Sequence, residues 1–245
     1  MTIGIGFTCQ DSIVLCSDTQ ITYEGSHKRY EHKIFSSENS SWSATFSYAG
    51  DVGTAKTVWD NFLVAMEEKV MPITAEIIRR ETIKVLSDLE VPDNFCLLCG
   101  IVIPSREMKL FQSRGKNVQS ARSAFIGIAD TSVLSYMHNL LAQSSSGTYT
   151  VRQAELLGRY MVLQCKNWID GCGGTTDVVI LHSDGRIEPS PMFPNGVEGH
   201  FEILERYFMQ LSEAFVDARI PAEEFERRLD KFSQAMRSER PLLLA

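Results

Sequence analysis

The sequence predicts an α+β fold in which helices cover packed β-sheets. Its opening is rich in the short apolar runs that are typical of strands, at 2–9, 12–17, 33–36 and 42–49. Two helices follow, because apolar residues recur at helical spacing over 58–70 and again after Thr74, a predicted N-cap. Strands and helices do not alternate singly, so the pattern favours layers of sheet and helix over a parallel βαβ sheet.

The rest of the chain repeats this organisation. Further strands are predicted at 95–103, 108–112 and 123–128, then helices at 130–143 and 151–168 with a loop at 144–148 between them. Asp184-Gly185 is a strong hairpin signal between strands predicted at 176–183 and 186–188. Helical patterns over 199–215 and after Pro221 complete the sequence.

Composition and charge narrow the possible functions. The 245 residues carry a net charge of −7 without any basic block, so we expect no nucleic-acid partner. No apolar run reaches the roughly 18 to 20 residues of a membrane span, and the N-terminus lacks the features of a signal peptide. We therefore expect a cytoplasmic protein without a membrane partner, built as one large domain, with two small domains as the alternative.

The cysteines suggest neither a metal site nor a cofactor. In the absence of an export signal, we expect all six to be reduced thiols. Cys96 and Cys99 form a single CxxC on a predicted buried strand, and no second pair of ligands follows it. We interpret them as small apolar side chains of a sheet.

Thr2, Asp18 and Lys33 form a set with possible catalytic chemistry. If Met1 is removed, Thr2 carries a free α-amine beside its own hydroxyl, which is a nucleophile with its base. An α-amine has an ordinary pKa of about 7.7 to 8.0 and suits that task near neutral pH. Lys33 can assist the hydroxyl, and Asp18 can hold the lysine in place. The three residues lie on separate predicted strands, so they can converge at one end of a sheet.

These residues belong to a wider resemblance. The opening T-I-G-I-G-F-T-C-Q-D-S-I-V-L-C-S-D-T resembles that of proteasome β-type subunits, which are N-terminal nucleophile hydrolases. Further segments resemble the family in the same order: Asp18 with Thr22, Lys33 in H-K-I-F, Ser47-Tyr-Ala-Gly50, Phe125-Ile-Gly127, and Gly173-Gly-Thr-Thr-Asp-Val-Val-Ile-Leu-His-Ser-Asp-Gly185. The chain is identified from them as a bacterial-type proteasome homologue without a propeptide.

The resemblance implies a fold, a reaction and an assembly. The fold is the four-layer αββα sandwich of the N-terminal nucleophile hydrolases. The reaction is a threonine-type peptidase reaction, in which Thr2 attacks an amide, Asp18 and Lys33 assist, and the Gly50 backbone N–H serves the oxyanion hole. The assembly is a homo-oligomeric ring that acts on peptides or proteins, with an ATPase partner left open. The stretch of about 199–245 is a helical C-terminal extension of a single domain, 1–245.

Two supporting positions depart from the family pattern. Ile128 stands where the family has a serine after the glycine of the strand-to-helix junction. Cys172 and Ile169 stand where the family has a second serine and an aspartate, so Asp170 and Cys172 are possible supporting residues. The departures keep two alternatives open, a non-catalytic proteasome-like ring subunit and an N-terminal nucleophile hydrolase of small amides.

Overall fold

A computed structural model describes residues 2–22, 27–69, 72–104, 107–127, 131–142, 148–190, 197–217 and 219–244 of the chain. Met1, Ile128 and most of the predicted loop at 144–148 lie outside them. The chain divides into two compact units, Met1–Ser190 and Pro191–Ala245, and the expectation of one domain with a helical extension stays a prediction.

The described residues form a mixed α/β structure with antiparallel sheets. Its strands are β1 (Ile3–Thr8), β2 (Ser12–Asp18), β3 (Gln20–Thr22), β4 (Lys28–Tyr30), β5 (Ile34–Glu38), β6 (Ser43–Ala49), β7 (Cys96–Ile103), β8 (Glu107–Arg114), β9 (Asn117–Ala121), β10 (Ser123–Gly127), β11 (Thr176–His182) and β12 (Ile187–Pro189). Its helices are α1 (Val52–Glu67), α2 (Ala75–Asp88), α3 (Thr131–Ala142), α4 (Val151–Trp168), α5 (Val197–Val216) and α6 (Ala222–Leu244). Among these helices, none is both long and apolar enough to cross a bilayer.

Two five-stranded sheets carry most of the first unit. One has the order β10-β1-β2-β11-β12 and the other the order β5-β6-β7-β8-β9, while β3 and β4 pair separately. The sequence analysis missed β3, β4 and β9. These are short and mostly polar, and β4 is exposed at all three residues, so they lack the apolar alternation that marks a half-buried strand.

Three clusters of buried apolar side chains hold these elements together. One cluster joins the second sheet to α1 and α2, with Phe46, Trp59 and Phe62 in mutual ring contact. A second joins the first sheet to α3 and α4. A third lies between the two sheets and includes Leu15 of β2 and Leu98 of β7. Each helix pair therefore buries its apolar stripe against one sheet, as the sequence analysis expected.

The strand registers bring several chain segments to one edge of the first sheet. Ser17, near the end of β2, lies opposite Gly4 near the start of β1. Asp18 lies opposite Thr176 at the start of β11, and Ile3 lies opposite Gly127 at the end of β10. Antiparallel order thus places the beginnings of two strands beside the ends of two others, and the candidate site lies at this edge.

The second unit is a helical hairpin of α5 and α6. Contacts between α5 and α6 run antiparallel, with ring centroids of Phe208 and Phe232 6.1 Å apart and those of Phe215 and Phe225 6.3 Å apart. Phe208 and Phe215 nevertheless remain more than half exposed. A pair of helices alone is too thin to bury an apolar stripe completely, which leaves these side chains accessible.

Candidate active site

A buried ion pair between Asp18 and Lys33 lies at the centre of the site. The Lys33 ammonium Nζ lies 2.8 Å from Asp18 Oδ1, and both side chains are 0% exposed. Nζ also donates to the carbonyl oxygen of Gln20. A charged pair removed from water in this way persists only when its remaining hydrogen-bonding capacity is satisfied.

Backbone donors complete the shell around Asp18. Its Oδ1 accepts from the Ile3 N–H at 3.0 Å, and its Oδ2 accepts from the Gly173 N–H at 3.2 Å and the Gln20 N–H at 3.3 Å. These N–H groups come from the start of β1, from the segment after β2 and from the loop before β11. The carboxylate therefore ties three segments together at the sheet edge, in addition to holding the lysine.

Burial sets the protonation behaviour of Lys33. Removal from water lowers the pKa of Lys33 below that of a free lysine, and the adjacent Asp18 charge and hydrogen bond oppose that decrease. The lysine is thus held more ready to give up a proton than a surface lysine.

Hydrogen bonds of the next residue, Ile3, and close packing against Gly127 fix the position of Thr2. The Ile3 N–H binds Asp18, and the Ile3 carbonyl accepts from Ser17 Oγ at 2.8 Å. Gly127 supports Thr2 from β10, since a Cβ atom at Gly127 would lie 1.7 Å from the Thr2 carbonyl oxygen. Thr2 itself is 5% exposed. The structure therefore brings Thr2, Asp18 and Lys33 to one place.

Gly127 provides a test of how closely Thr2 must be held. Gly127→Ala adds a methyl group that clashes with the Thr2 carbonyl at a backbone φ of +109°, which already favours glycine. We expect a displaced Thr2, a loss of any Thr2-dependent turnover, and a lower midpoint of thermal unfolding. Gly199→Ala in α5 is the matched control, because its Cβ would meet no atom within 4 Å. Equal turnover in the two variants would show that the position of Thr2 is unimportant.

Gly50 lies at the junction between β6 and α1. Ser47 of β6 pairs with Ile34 of β5 in an antiparallel register. The chain that leads from Ser47 to Gly50 therefore runs in the direction of the segment before β5, which contains Lys33. The φ of Gly50 is +142°, and a Cβ there would lie 2.7 Å from the Phe95 ring. This junction thus has a position that only glycine fits, and the oxyanion role of Gly50 stays a prediction.

The two possible supporting residues differ in their placement. Cys172 is buried close to the pair, and burial, followed by the Asp18 charge, raises the pKa of Cys172 to about 11. Asp170 lies exposed in the turn after α4, and no contact among the described residues joins it to Asp18 or Lys33. Ile169 packs against the apolar cluster under α4, which also includes Ile3 and Cys172. Ile128 lies outside the described residues.

Sequence reasoning missed two features of this site. The Ser17 hydroxyl, the Gln20 carbonyl and the Gly173 N–H all bind within it, and the last two are backbone groups, which leave no residue-type signal in a sequence. The side chain of Asp177 was also missed, although Asp177 stands in the Gly-Gly segment that carried the resemblance. Over the described ranges, no cluster of three or more His, Cys, Asp or Glu residues is arranged to hold a metal ion.

Comparisons with known proteins bear on the fold. No family model matches the sequence, and no curated protein matches it significantly. Among solved structures, an Anbu (Gly-1) mutant from Hyphomicrobium sp. strain MC1 superposes with a TM-score of 0.70 at 14% identity, over 86% of this chain and 100% of that one. Anbu, the ancestral beta-subunit, from Yersinia bercovieri gives 0.68 at 15% identity, over 85% and 97%.

A further Anbu structure is a helical assembly of the Anbu complex from Pseudomonas aeruginosa, with a TM-score of 0.63 at 14% identity over 83% of this chain and 96% of that one. The identification of the chain as a proteasome β-type subunit homologue is therefore wrong, because these neighbours belong to a distinct family with a proteasome-like fold. Most of the quoted motifs are strand ends and tight turns, which proteins of one fold share, so they do not distinguish one family from another. At this level of identity, the chain shares the fold of the Anbu structures.

Proposed function

We propose that the protein is a threonine-type N-terminal nucleophile hydrolase with the four-layer αββα sandwich of that class. Removal of Met1 exposes the α-amine of Thr2, which is then the nucleophile. The single observation that carries this proposal is the buried Asp18–Lys33 pair, whose carboxylate also binds the N–H of Ile3, the residue after Thr2. A scaffold gains little from a buried charge pair beside a threonine, since apolar side chains of similar volume are often as stable.

The residues at this edge suffice for amide cleavage. The free α-amine of Thr2 takes the proton from its Oγ, and Oγ adds to the substrate carbonyl carbon. The Gly50 N–H is the proposed donor to the oxyanion, and the Lys33 ammonium stabilises negative charge near the nucleophile. Collapse breaks the C–N bond, and the α-ammonium returns its proton to the leaving amine. Water then hydrolyses the ester on Thr2 Oγ.

Cys172 allows a test of the departure from the family pattern. Because its pKa is about 11, the thiol is neutral near pH 7 and is a poor candidate for the nucleophile. We expect Cys172→Ser to retain turnover within about threefold, since a hydroxyl of similar size takes the place of a weak donor. Steady-state kinetics of the two proteins gives the comparison. Loss of turnover by Cys172→Ser together with full turnover by Thr2→Ala would instead make Cys172 the nucleophile.

We further propose that the chain assembles with copies of itself into a ring or helix and acts on peptides or proteins. The Pseudomonas aeruginosa Anbu structure is a helical assembly. The exposed apolar side chains of α5 and α6, among them Phe208, Phe215 and Met236, offer a surface for such contacts. The stretch 199–245 is the proposed extension of a single domain. An ATPase partner stays an open question.

A second candidate function is that of a non-catalytic subunit of such an assembly. It is favoured by one observation, the apolar packing of Ile169 where a catalytic homologue has an aspartate. The deciding experiment measures hydrolysis of fluorogenic peptides and of small N-acyl amides by the purified assembly, with Thr2→Ala as the blank. Thr2-dependent release of either fluorophore supports the enzyme, and the substrate type separates a peptidase from a small-amide hydrolase. Identical rates for both proteins favour the non-catalytic subunit.

A further inference from the structure

Lys33 lies in a segment that no sheet holds. Residues 31–33 are irregular, between the end of β4 at Tyr30 and the start of β5 at Ile34. Lys33 therefore lies outside the hydrogen-bond ladders of β4 and β5. The position of its backbone must depend on other partners, because a lysine stem with four rotatable methylene groups does not by itself place its ammonium.

Three hydrogen bonds reach this segment, one from Thr19 just after β2 and two from Asp177 of β11. The Glu31 N–H donates to the Thr19 carbonyl at 3.0 Å, which fixes the start of the segment. Further along, His32 Nδ1 lies 2.8 Å from Asp177 Oδ2, and the Lys33 backbone N–H also donates to the Asp177 carboxylate. The single carboxylate of Asp177 thus holds two consecutive residues, one through its side chain and one through its backbone.

Asp177 occupies a position suited to this task. It is the second residue of β11 and follows Thr176, which lies opposite Asp18. Its side chain is 14% exposed, whereas that of His32 is 87% exposed. Burial raises the pKa of Asp177, and the hydrogen bonds from His32 and Lys33 oppose that increase. A buried carboxylate that is aimed at a backbone N–H stabilises one arrangement of that backbone.

We propose that Asp177 is a positioning residue for Lys33, and that His32 orients the Asp177 carboxylate from the solvent side. Asp18 binds the ammonium at one end of Lys33, while Asp177 binds the backbone at the other end. Neighbouring strands of one sheet carry the two aspartates, so the lysine is held between two rigid points. The catalytic consequence rests on the proposed function, but the structural consequence does not.

The test compares two substitutions of Asp177. Asp177→Ala removes both acceptors, and we expect kcat to fall about 10- to 100-fold through misplacement of Lys33, with KM nearly unchanged. Asp177→Asn keeps an amide oxygen for the Lys33 N–H, and its NH2 group can donate to His32 Nδ1 in the other imidazole tautomer. We therefore expect Asp177→Asn to recover most of kcat. Asp184→Ala, in the exposed turn after β11, is the control for loss of an aspartate.

Amide hydrogen exchange of the peptide that spans 31–34 provides a readout without turnover. We expect Asp177→Ala to accelerate exchange at Lys33, and Asp177→Asn and Asp184→Ala to leave it slow. Unchanged exchange in Asp177→Ala, or faster exchange with an unchanged kcat, would overturn the proposal. If the wild-type protein shows no turnover, the proposed function fails, and the exchange pattern alone decides whether Asp177 holds Lys33.

Discussion

Thr2→Ala is expected to lower turnover by about three orders of magnitude or more, because it removes the oxygen that forms the acyl-enzyme. The substitution leaves the backbone contacts of the site intact, since Asp18 binds the Ile3 N–H and Ser17 binds the Ile3 carbonyl. We therefore expect the same thermal unfolding midpoint and the same assembly mass as in the wild type. Initial rates with a fluorogenic substrate and light scattering after gel filtration give both comparisons.

Thr2→Ser is the matched control for that loss. It keeps a hydroxyl and an α-amine, and its small side chain allows the same removal of Met1 as Thr2 or Ala at this position. We expect Thr2→Ser to retain substantial turnover, within about tenfold of the wild type, as a serine oxygen is an equivalent nucleophile. Full turnover by Thr2→Ala would show that another residue attacks the substrate.

Substitutions of the buried pair are expected to have the second large effect. Asp18→Ala leaves the Lys33 ammonium without a counter-charge at a site of 0% exposure, and breaking a buried pair in this way costs about 3 to 5 kcal/mol. It also leaves the N–H groups of Ile3 and Gly173 without the Asp18 acceptor, whereas the Gln20 N–H keeps the Gly173 carbonyl. We expect a marked decrease in the free energy of unfolding and loss of turnover, measured by urea titration and by initial rates.

Lys33→Met is expected to destabilise the protein less than Asp18→Ala, although it also abolishes turnover. The Asp18 carboxylate keeps three backbone donors when the lysine is removed, whereas the Lys33 ammonium loses its counter-charge and keeps the Gln20 carbonyl when Asp18 is removed. Burial lowers the pKa of Lys33, and the Asp18 charge opposes this decrease. Asp18→Ala removes that charge, so the pKa of Lys33 decreases further. The double substitution gives the coupling energy of the pair. Greater destabilisation by Lys33→Met would contradict the assigned shell of Asp18.

Much of the layered fold could be predicted from the sequence, because a strand or helix that buries one face has apolar residues at a regular spacing. The apolar runs that became β1, β2, β6 and β7 and the helical stripe of α1 all pack into the clusters that join sheets and helices. The short polar strands could not be predicted, since β3 and β4 have three residues each, with one apolar residue in β3, and are too short to show an apolar alternation. The family assignment failed for a related reason: motifs that serve the fold do not distinguish families that share it.

The sequence indicated which residues could form the candidate site, but it did not indicate the contacts between them. Thr2, Asp18 and Lys33 were selected by residue type and order, and the structure brings them to one sheet edge. The pairing of His32 with Asp177 joins residues that are 145 positions apart, and neither residue type indicates the other in a sequence. Asp170, a possible supporting residue from the sequence, is exposed in the turn after α4, while Ile169 packs against an apolar cluster, and the role of Asp170 stays a prediction.

The central claim is that Thr2 is an N-terminal nucleophile. The most direct test is whether Thr2 is the first residue and has a free α-amine. Mass spectrometry of the N-terminal peptide from the active assembly identifies the first residue and any modification of its amine. The account predicts a peptide that begins at Thr2 with an unmodified amine. A peptide that begins at Met1, or one with a blocked amine, would contradict it, because the proposed base would then be part of an amide bond.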